Sequence, residues 1–287
     1  MCVTLIKTNL LLLLMSTVLW CRAQTNCRVF TDSCHIKACL LYNEANSFAQ
    51  GSQKSQQYYD SAIRTCPDYA EAWRAISIPY LKRGDYYTWR KYLDKAVLLK
   101  PRLFLGIRGW CLFKFLRDYE GALHDLRSFD TLTAFHPSYS GDGNYHLYIV
   151  MAICHRELGN YQQAFHYFSL GIDSIVAQQG EKWVGLSDYL HRAVTKMRTK
   201  DYAGALLDLE RQIKRYDNYA EIYYYQGLIL QLMHRNKEAL TTLQKARALA
   251  GTGHHLNDIY CEMPDEVFID DIDMAIKAAQ APMRPKR

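Results

Sequence analysis

The sequence predicts an all-α protein built from stacked helical hairpins, and three observations carry that prediction. The chain of 287 residues is 49% hydrophobic, which is enough to bury a large core. It contains 22 Tyr against 7 Pro and 15 Gly, so turn breakers are few and large packing side chains are many. A short sequence motif also recurs, as RDYEGAL at residues 117–123 and as KDYAGAL at residues 200–206.

The first 23 residues have the pattern of an export signal. The apolar run NLLLLLMSTVLW comes after Lys7 and has about a dozen residues, too few to cross a bilayer. Small residues at Cys21 and Ala23 fit signal peptidase, so we expect cleavage after Ala23 and no stable membrane span afterwards. Trp20 occupies a place where a lipoprotein signal needs a small residue, which disfavours lipidation of Cys21 without deciding it.

Five segments align with one another on a shared anchor position. The third residue after each anchor is small or Trp, and the seventh is large and apolar, which is the pattern of one helix face. Intervals of 33, 42, 41 and 34 residues separate the anchors, and they indicate a unit of about 34 residues with extra loop in two places. The anchors are Tyr86, Tyr119, Tyr161, Tyr202 and Asn236.

The helix before each anchor is also regular, and the two together resemble the tetratricopeptide repeat family from about residue 38 to 249. The resemblance implies a right-handed α-solenoid of about six helix-turn-helix pairs, the first of them degenerate. An Asp or Asn before the anchor would then cap the second helix of a pair. The resemblance rests on Trp73, Ile76, Ser77, Tyr80, Trp89, Leu93, Ala96 and Pro101, and on Tyr223, Gln226, Gly227, Leu230, Ala239, Leu243 and Ala246.

This pattern divides the chain into four segments. Residues 1–23 are the cleaved signal, 24–37 a cysteine-containing segment, 38–249 the solenoid, and 250–287 a linker, an acidic capping helix and a basic tail. The helix before Tyr119 carries one residue more than a regular unit. We expect the capping helix over 264–279, beginning at Pro264, with its acids outward. Its predicted apolar face is Phe268, Ile272, Ala275, Ile276 and Ala279.

The resemblance implies a partner-binding wall on the concave side, formed by the first helix of each pair. The wall is mostly apolar with a few charges, so we expect an extended or helical segment of another protein, with Arg74, Arg156 and Glu221 setting its register. The same positions could instead pack between helices. The predicted contacts are Glu71, Arg74, Ile78, His146, Ile149, Arg156, Leu190, Met197, Glu221, Tyr224 and Gln231.

Seven cysteines remain after residue 23, and four of them gather near the predicted mature N-terminus. Export would expose these four to oxidising conditions, so we expect disulfides, with all three pairings open. Cys111 and Cys154 lie in apolar helical runs and are expected in the core. The four candidate disulfide cysteines are Cys27, Cys34, Cys39 and Cys66.

Composition and motifs disfavour several classes of function. The sequence has no phosphate loop, nucleophile elbow or zinc-protease helix, no regular metal-ligand spacing and no basic block for nucleic acid. It therefore predicts a non-enzymatic interaction scaffold, without cofactor or metal, in the periplasm or cell envelope of a bacterium. The alternatives are a self-capped, autoinhibited protein with the C-terminal helix in its own groove, and a self-assembling structural protein; an enzyme is less favoured.

Overall fold

The computed structural model describes residues 24–134 and 139–280, and these residues are helical apart from their connecting segments. The predicted signal peptide and basic tail lie outside the described residues. The described residues include one isolated bridge, between Tyr139 and His146, and no named strand. The predicted all-α class is confirmed.

The helices come one after another as antiparallel pairs. In chain order they are α1 (Ser33–Ala45), α2 (Gln53–Thr65), α3 (Ala70–Lys82), α4 (Tyr86–Leu99), α5 (Pro101–Cys111), α6 (Tyr119–Leu132), α7 (Leu147–Glu157), α8 (Tyr161–Phe168), α9 (Ser174–Gln179), α10 (Asp188–Arg198), α11 (Tyr202–Arg215), α12 (Ala220–Leu232), α13 (Asn236–Gly251) and α14 (Ile269–Gln280). Five pairs pack side by side along their length, α1/α2, α5/α6, α7/α8, α10/α11 and α12/α13. At the start of the second unit, the rings of Tyr80 in α3 and Tyr92 in α4 lie 5.7 Å apart. The chain divides into two compact units, one up to Ile76 and one from Ser77.

In the first unit, α1 packs against α2 beside two disulfides. Cys27 is bonded to Cys39 and Cys34 to Cys66, which is one of the three pairings that the sequence left open. Helix α1 begins at Ser33, five residues before the predicted start at 38. The reason is local, because the Asp32 side chain accepts a hydrogen bond from the His35 N–H and so caps the helix there.

In the second unit, the five anchors of the repeat are the first residues of α4, α6, α8, α11 and α13. The carboxylates of Asp85, Asp118 and Asp201 each accept the backbone N–H three residues on, as predicted for caps. The prediction is wrong for Asn160, whose side chain makes no cap hydrogen bond to α8. The predicted face is also confirmed, since every member is at most 1% exposed. Its members are Trp89, Ala122, Ala164, Ala205 and Ala239, and Leu93, Leu126, Phe168, Leu209 and Leu243.

The extra residue predicted before Tyr119 is absorbed by a π-helical turn. Residues Leu112–Leu116 continue α5 in this wider form, which accommodates one inserted residue without breaking the helix. A second π turn, Ser169–Asp173, joins α8 to α9. Gly171 lies in it because a Cβ there would come within 2.7 Å of the Ile149 side chain.

The capping helix begins at Ile269, not at Pro264 as the sequence suggested. Asp265 prevents an earlier start, because its backbone is left-handed (φ 60°) and its side chain lies buried against other helices. Phe268 was also predicted wrongly, since it is 53% exposed. The remaining apolar face packs on α13, where Ala275 and Ala279 form a cluster with Leu243.

Candidate partner-binding face

An irregular segment between α13 and α14 lies across the first helix of each of several repeat pairs in the second unit. We call residues 254–268 the strap, and we call the surface formed by α5, α7, α10 and α12 the inner face. The strap begins after Gly253, whose positive φ of 80° turns the chain out of α13. It contains neither helix nor strand, so its polar backbone groups need partners on the inner face.

One buried carboxylate holds both ends of the strap. Oε1 of Glu221, at the start of α12, accepts the N–H of Leu256 at 3.0 Å and the N–H of Val267 at 3.3 Å. The Ala220 N–H donates to the carbonyl of His254 at 2.9 Å. Burial raises the pKa of Glu221 to about 7. The strap is therefore a loop closed at its neck by Glu221.

The strap's second anchor is Asp265. Its Oδ2 lies 2.8 Å from a guanidinium nitrogen of Arg156 on α7 and 2.7 Å from Nδ1 of His191 on α10. All three side chains are at most 2% exposed. Burial acts to raise the pKa of Asp265, but the charge of Arg156 and the hydrogen bonds from Arg156 and His191 outweigh it and hold that pKa below its usual value. This contact joins the strap to two helices at once.

Away from Glu221, the part of the strap next to its tip contacts a buried lysine. Nζ of Lys114, in the π turn after α5, lies 2.7 Å from Asp258 of the strap and 3.0 Å from Asp142. Burial acts to lower the pKa of Lys114, but its hydrogen bonds to both carboxylates raise that pKa overall. Arg117 donates to the backbone carbonyl of Glu262 at 3.1 Å. The strap thus spans the inner face from α12 to the end of α5.

Solved structures share this architecture. No family model and no curated protein matches the sequence. A chain of the APC/C hetero-tetramer Cut9-Hcn1 is similar with a TM-score of 0.56 at 15% identity, over 86% of this chain and 41% of its own length. PilW, a widely conserved type IV pilus biogenesis factor, gives 0.57 at 16%, over 76% of this chain and 94% of PilW. YrrB, a tetratricopeptide repeat protein with an unusual peptide-binding site, gives 0.50 at 15%, over 67% and 92%. The fold is the tetratricopeptide repeat fold.

The chain spans about two fifths of the Cut9-Hcn1 chain that it matches. Within the shared fold, the predicted site residues differ in their surroundings. Glu71, Arg74, Ile78 and Met197 are half-buried. The others lie in the second unit, where the strap and α14 touch several of them directly.

Four predicted residues contact the chain's own C-terminal region. Arg156 and Glu221 bind the strap through Asp265 and through the backbone of Leu256 and Val267. Gln231 donates from Nε2 to the carbonyl of Ala275 at 2.8 Å. Tyr224 packs against the cluster formed by α13 and α14. The face predicted to hold another protein's segment therefore holds a segment of this protein.

The three other predicted residues support the helices. Ile149 and Leu190 are fully buried. His146 is 4% exposed and caps α7, with Nδ1 accepting the Tyr148 N–H at 3.1 Å. Burial lowers the pKa of His146 to about 4, so it is neutral at pH 7. These three positions have the packing role that the sequence left as an alternative.

The sequence reasoning missed the polar partners of the strap. They are Lys114, Arg117 and His191 on the repeat helices, and Asp258 and Asp265 on the strap. Spacing offered one signal for them. Three of the strap's four acids, at 258, 262 and 265, are spaced by four and then three residues outside any repeat unit.

Two cavities flank the strap. One, of about 200 Å³, is polar and is bounded by Lys114, Arg117, Arg156, Arg198 and Asp265. The other, of about 630 Å³, has a mixed lining of aromatic, apolar and polar side chains. Among its lining residues are Tyr139, Tyr145, Trp183, Tyr219, Leu256 and Met263.

The part of the chain that the structure describes has one cluster of possible metal ligands and no helix that could span a membrane. Its one cluster with ligand geometry is Asp32, Cys34, His35 and Cys66, but both cysteines are bonded in the disulfide. Of the cysteines outside the two disulfides, Cys111 and Cys154 are buried and Cys261 is half-buried. No helix between residues 24 and 280, as far as described, is long and apolar enough to cross a membrane.

Proposed function

We propose that the protein is a non-enzymatic scaffold that binds a segment of another protein on its inner face. The strap is the observation that supports this. It is an irregular segment of polypeptide, and the inner face binds its backbone through Glu221 and Arg117 and its carboxylates through Lys114 and Arg156. A surface that meets main-chain and side-chain groups of a loop in this way has the chemistry to hold a peptide.

We further propose that the scaffold works in the bacterial envelope, in the periplasm or at the cell surface. Three features support export: the apolar run at residues 9–20, the two disulfides near the proposed mature N-terminus, and the fold shared with PilW, a type IV pilus biogenesis factor. Sequencing the N-terminus of protein from a periplasmic fraction tests this. A mature chain beginning at Gln24 is expected, and full-length protein with reduced Cys27 and Cys34 in the cytoplasm would contradict export.

The self-capped alternative also has an observation in its favour, because the strap already occupies the inner face. In this alternative, the C-terminal region lies in the chain's own groove and inhibits binding until a partner displaces it. The self-assembling alternative is less favoured, since α14 covers the last repeat pair and carries Asp270 and Asp271 in its first turn. A cap of this kind protects the end of a solenoid.

Capture from an envelope fraction tests the scaffold proposal. The variant Arg117→Glu with Arg198→Glu reverses charge at two inner-face side chains that remain 44% and 36% exposed. Its matched control, Lys91→Glu with Lys95→Glu, makes the same change on exposed positions of α4. We expect the inner-face variant to lose a partner that wild type and control both retain, and affinity for the purified partner to fall about tenfold or more.

Equal recovery of every partner by all three proteins would contradict binding at the inner face. Circular dichroism on each variant checks that a loss of binding does not come from unfolding. Calorimetry with the purified partner then measures the change in dissociation constant.

A further inference from the structure

The strap has the form of a ligand that belongs to the same chain, and a role for it in partner binding rests on the proposed scaffold function. Its two ends meet at Glu221, so residues 257–266 form a loop whose neck is narrow. The loop's acids meet cations of the inner face, one after another. Asp258 binds Lys114, Glu262 lies 3.8 Å from Arg117, and Asp265 binds Arg156 and His191.

The capping helix is held independently of the strap. Ala275 and Ala279 are buried with Leu243 of α13, and Gln231 donates to the Ala275 carbonyl. Arg247 of α13 also pairs with Asp273 at 2.7 Å. Because α14 has this interface of its own, the loop before it can leave the inner face while α14 stays docked.

The strap itself is unevenly bound. Its tip is open to solvent, with Ile259 87% and Tyr260 44% exposed. Its buried contacts are of two kinds, apolar ones at Leu256, Met263 and Val267 and ion pairs at Asp258 and Asp265. A buried ion pair gains little net free energy because both charges lose their hydration. Displacement by a segment with the same charges would exchange one set of ion pairs for another, so its net cost is small.

We propose that the strap is a displaceable built-in competitor, and that the partner segment has the strap's own chemistry. Such a segment carries three acids spaced by four and then three residues, as at Asp258, Glu262 and Asp265. Apolar residues precede the first acid and follow the last, at the places of Leu256 and Val267, which are 5% and 4% exposed. The scaffold then binds its partner only when that segment outcompetes the strap.

A peptide copy of the strap tests the proposal on the mature chain. The probe is a fluorescent peptide of residues 254–268 with Ser in place of Cys261, and its affinity is measured by anisotropy. The chain variant Asp258→Ala removes the strap's bond to Lys114 but leaves Lys114 and Asp142 in place. We expect the peptide to bind this variant about tenfold more tightly than wild type, because apparent affinity rises with the fraction of open inner face.

Matched reagents make the result specific. A peptide with the same composition in shuffled order controls for charge alone, and the chain variant Asp217→Ala, at an exposed loop position, controls for loss of an acid. We expect weak binding of the shuffled peptide and wild-type behaviour of Asp217→Ala. Hydrogen exchange should speed up through residues 255–266 in Asp258→Ala, while α14 stays protected.

Two outcomes would overturn the proposal. One is equal peptide affinity for wild type and Asp258→Ala, together with exchange in 255–266 as slow as in α7, which would make the strap a fixed part of the fold. The other is equal binding of the shuffled peptide. Either result leaves the scaffold function standing if capture still depends on Arg117 and Arg198, so failure of the two proposals is distinguishable.

Discussion

Two buried arginine–aspartate pairs show how the same chemistry serves two regions of this molecule. Arg192 of α10 binds Asp208 of α11 through two hydrogen bonds of 2.9 and 2.8 Å, within one repeat pair. Arg156 of α7 binds Asp265 of the strap at 2.8 Å, between residues 109 positions apart. The first pair fastens two helices that pack along their length, whereas the second fastens an irregular loop whose other buried side chains are Leu256, Met263 and Val267.

We call the helix pairs of the second unit the framework. The Arg192–Asp208 pair of the framework has a counterpart in another helix pair, and among the described residues the Arg156–Asp265 pair at the strap has none. Arg108 of α5 binds Asp125 of α6 at 2.6 and 2.8 Å, and Asp125 stands six residues after Tyr119, as Asp208 does after Tyr202. The two repeat units that contain the near-identical segments therefore share an arginine–aspartate pair as well as a helix face. We infer that ion pairs of the framework fix helix geometry, and that the pair at the strap fixes the occupancy of the inner face.

The largest effect is expected from Asp208→Ala. It leaves Arg192, at 8% exposure, with Asp173 as its remaining carboxylate partner, and it removes the ion-pair partner of Lys196. The helices of the pair α10/α11 cannot separate locally to let more water reach the guanidinium, so we expect the free energy of unfolding to fall by about 3 kcal/mol. Urea denaturation followed by circular dichroism measures it, with exposed Asp217→Ala as the control. A loss below about 1 kcal/mol would contradict the framework role.

Asp265→Ala is the matched change at the strap, and a smaller loss of about 2 kcal/mol is expected. The reason is that the strap can leave the inner face, which lets water reach Arg156 and His191. Hydrogen exchange should therefore rise in residues 255–266 and stay unchanged in α10 and α11. If Asp265→Ala destabilises the protein as much as Asp208→Ala, the difference between the two regions does not hold.

The sequence patterns predicted the helix pairs of the framework but not the strap. The reason is the sequence separation of the contacts that hold each region. The anchors, their caps and the face of Ala122 and Leu126 follow from helical periodicity, which short-range packing imposes on each unit. The strap depends on contacts such as Lys114 to Asp258, 144 residues apart, and on backbone donors bound to Glu221. Such contacts do not recur from one repeat unit to the next, so the repeat pattern does not reveal them.

The predicted site residues show the same division. Counting within the repeat identified Arg156 and Glu221 as inner-face positions, and both do lie on first helices. The repeat pattern could not predict that the strap covers these two residues, because the length of the strap depends on where α14 begins. That start is set by the tertiary contacts of Asp265. Its preference for the buried site over a helical turn is a tertiary effect that overrides the local signal of Pro264 and the acids after it.

Glu221→Gln sharpens the comparison through pH. The variant keeps an oxygen that accepts the two strap N–H groups but carries no charge. Because burial raises the folded-state pKa of Glu221 to about 7, from an unfolded value near 4.5, its favourable protonated form is lost as pH rises through 7. Wild-type stability should therefore fall relative to the variant between pH 6.5 and 8.5, by about 1 kcal/mol.

The measured quantity is the difference in free energy of unfolding between wild type and Glu221→Gln at each pH, because other buried groups have pKa values close to this range. Burial raises the pKa of Asp188 to about 6, which acts in the same direction as Glu221, and lowers that of His146 to about 4, which acts in the opposite direction below pH 6.5. Both groups are present in wild type and variant, so they cancel. Parallel stability curves for the two proteins would show that Glu221 does not titrate in this range.

The smallest effect is expected from Arg247→Ala at the interface of α13 and α14. Arg247 and Asp273 are 40% and 41% exposed, so water already screens their attraction, and we expect a loss of about 0.5 kcal/mol or less. The comparison is Ala275→Asp, which places a charge in the apolar cluster with Leu243 and should release α14. Hydrogen exchange over residues 269–280 separates the two, and release of α14 by Arg247→Ala would mean that charge, not apolar packing, holds the cap in place while the strap opens.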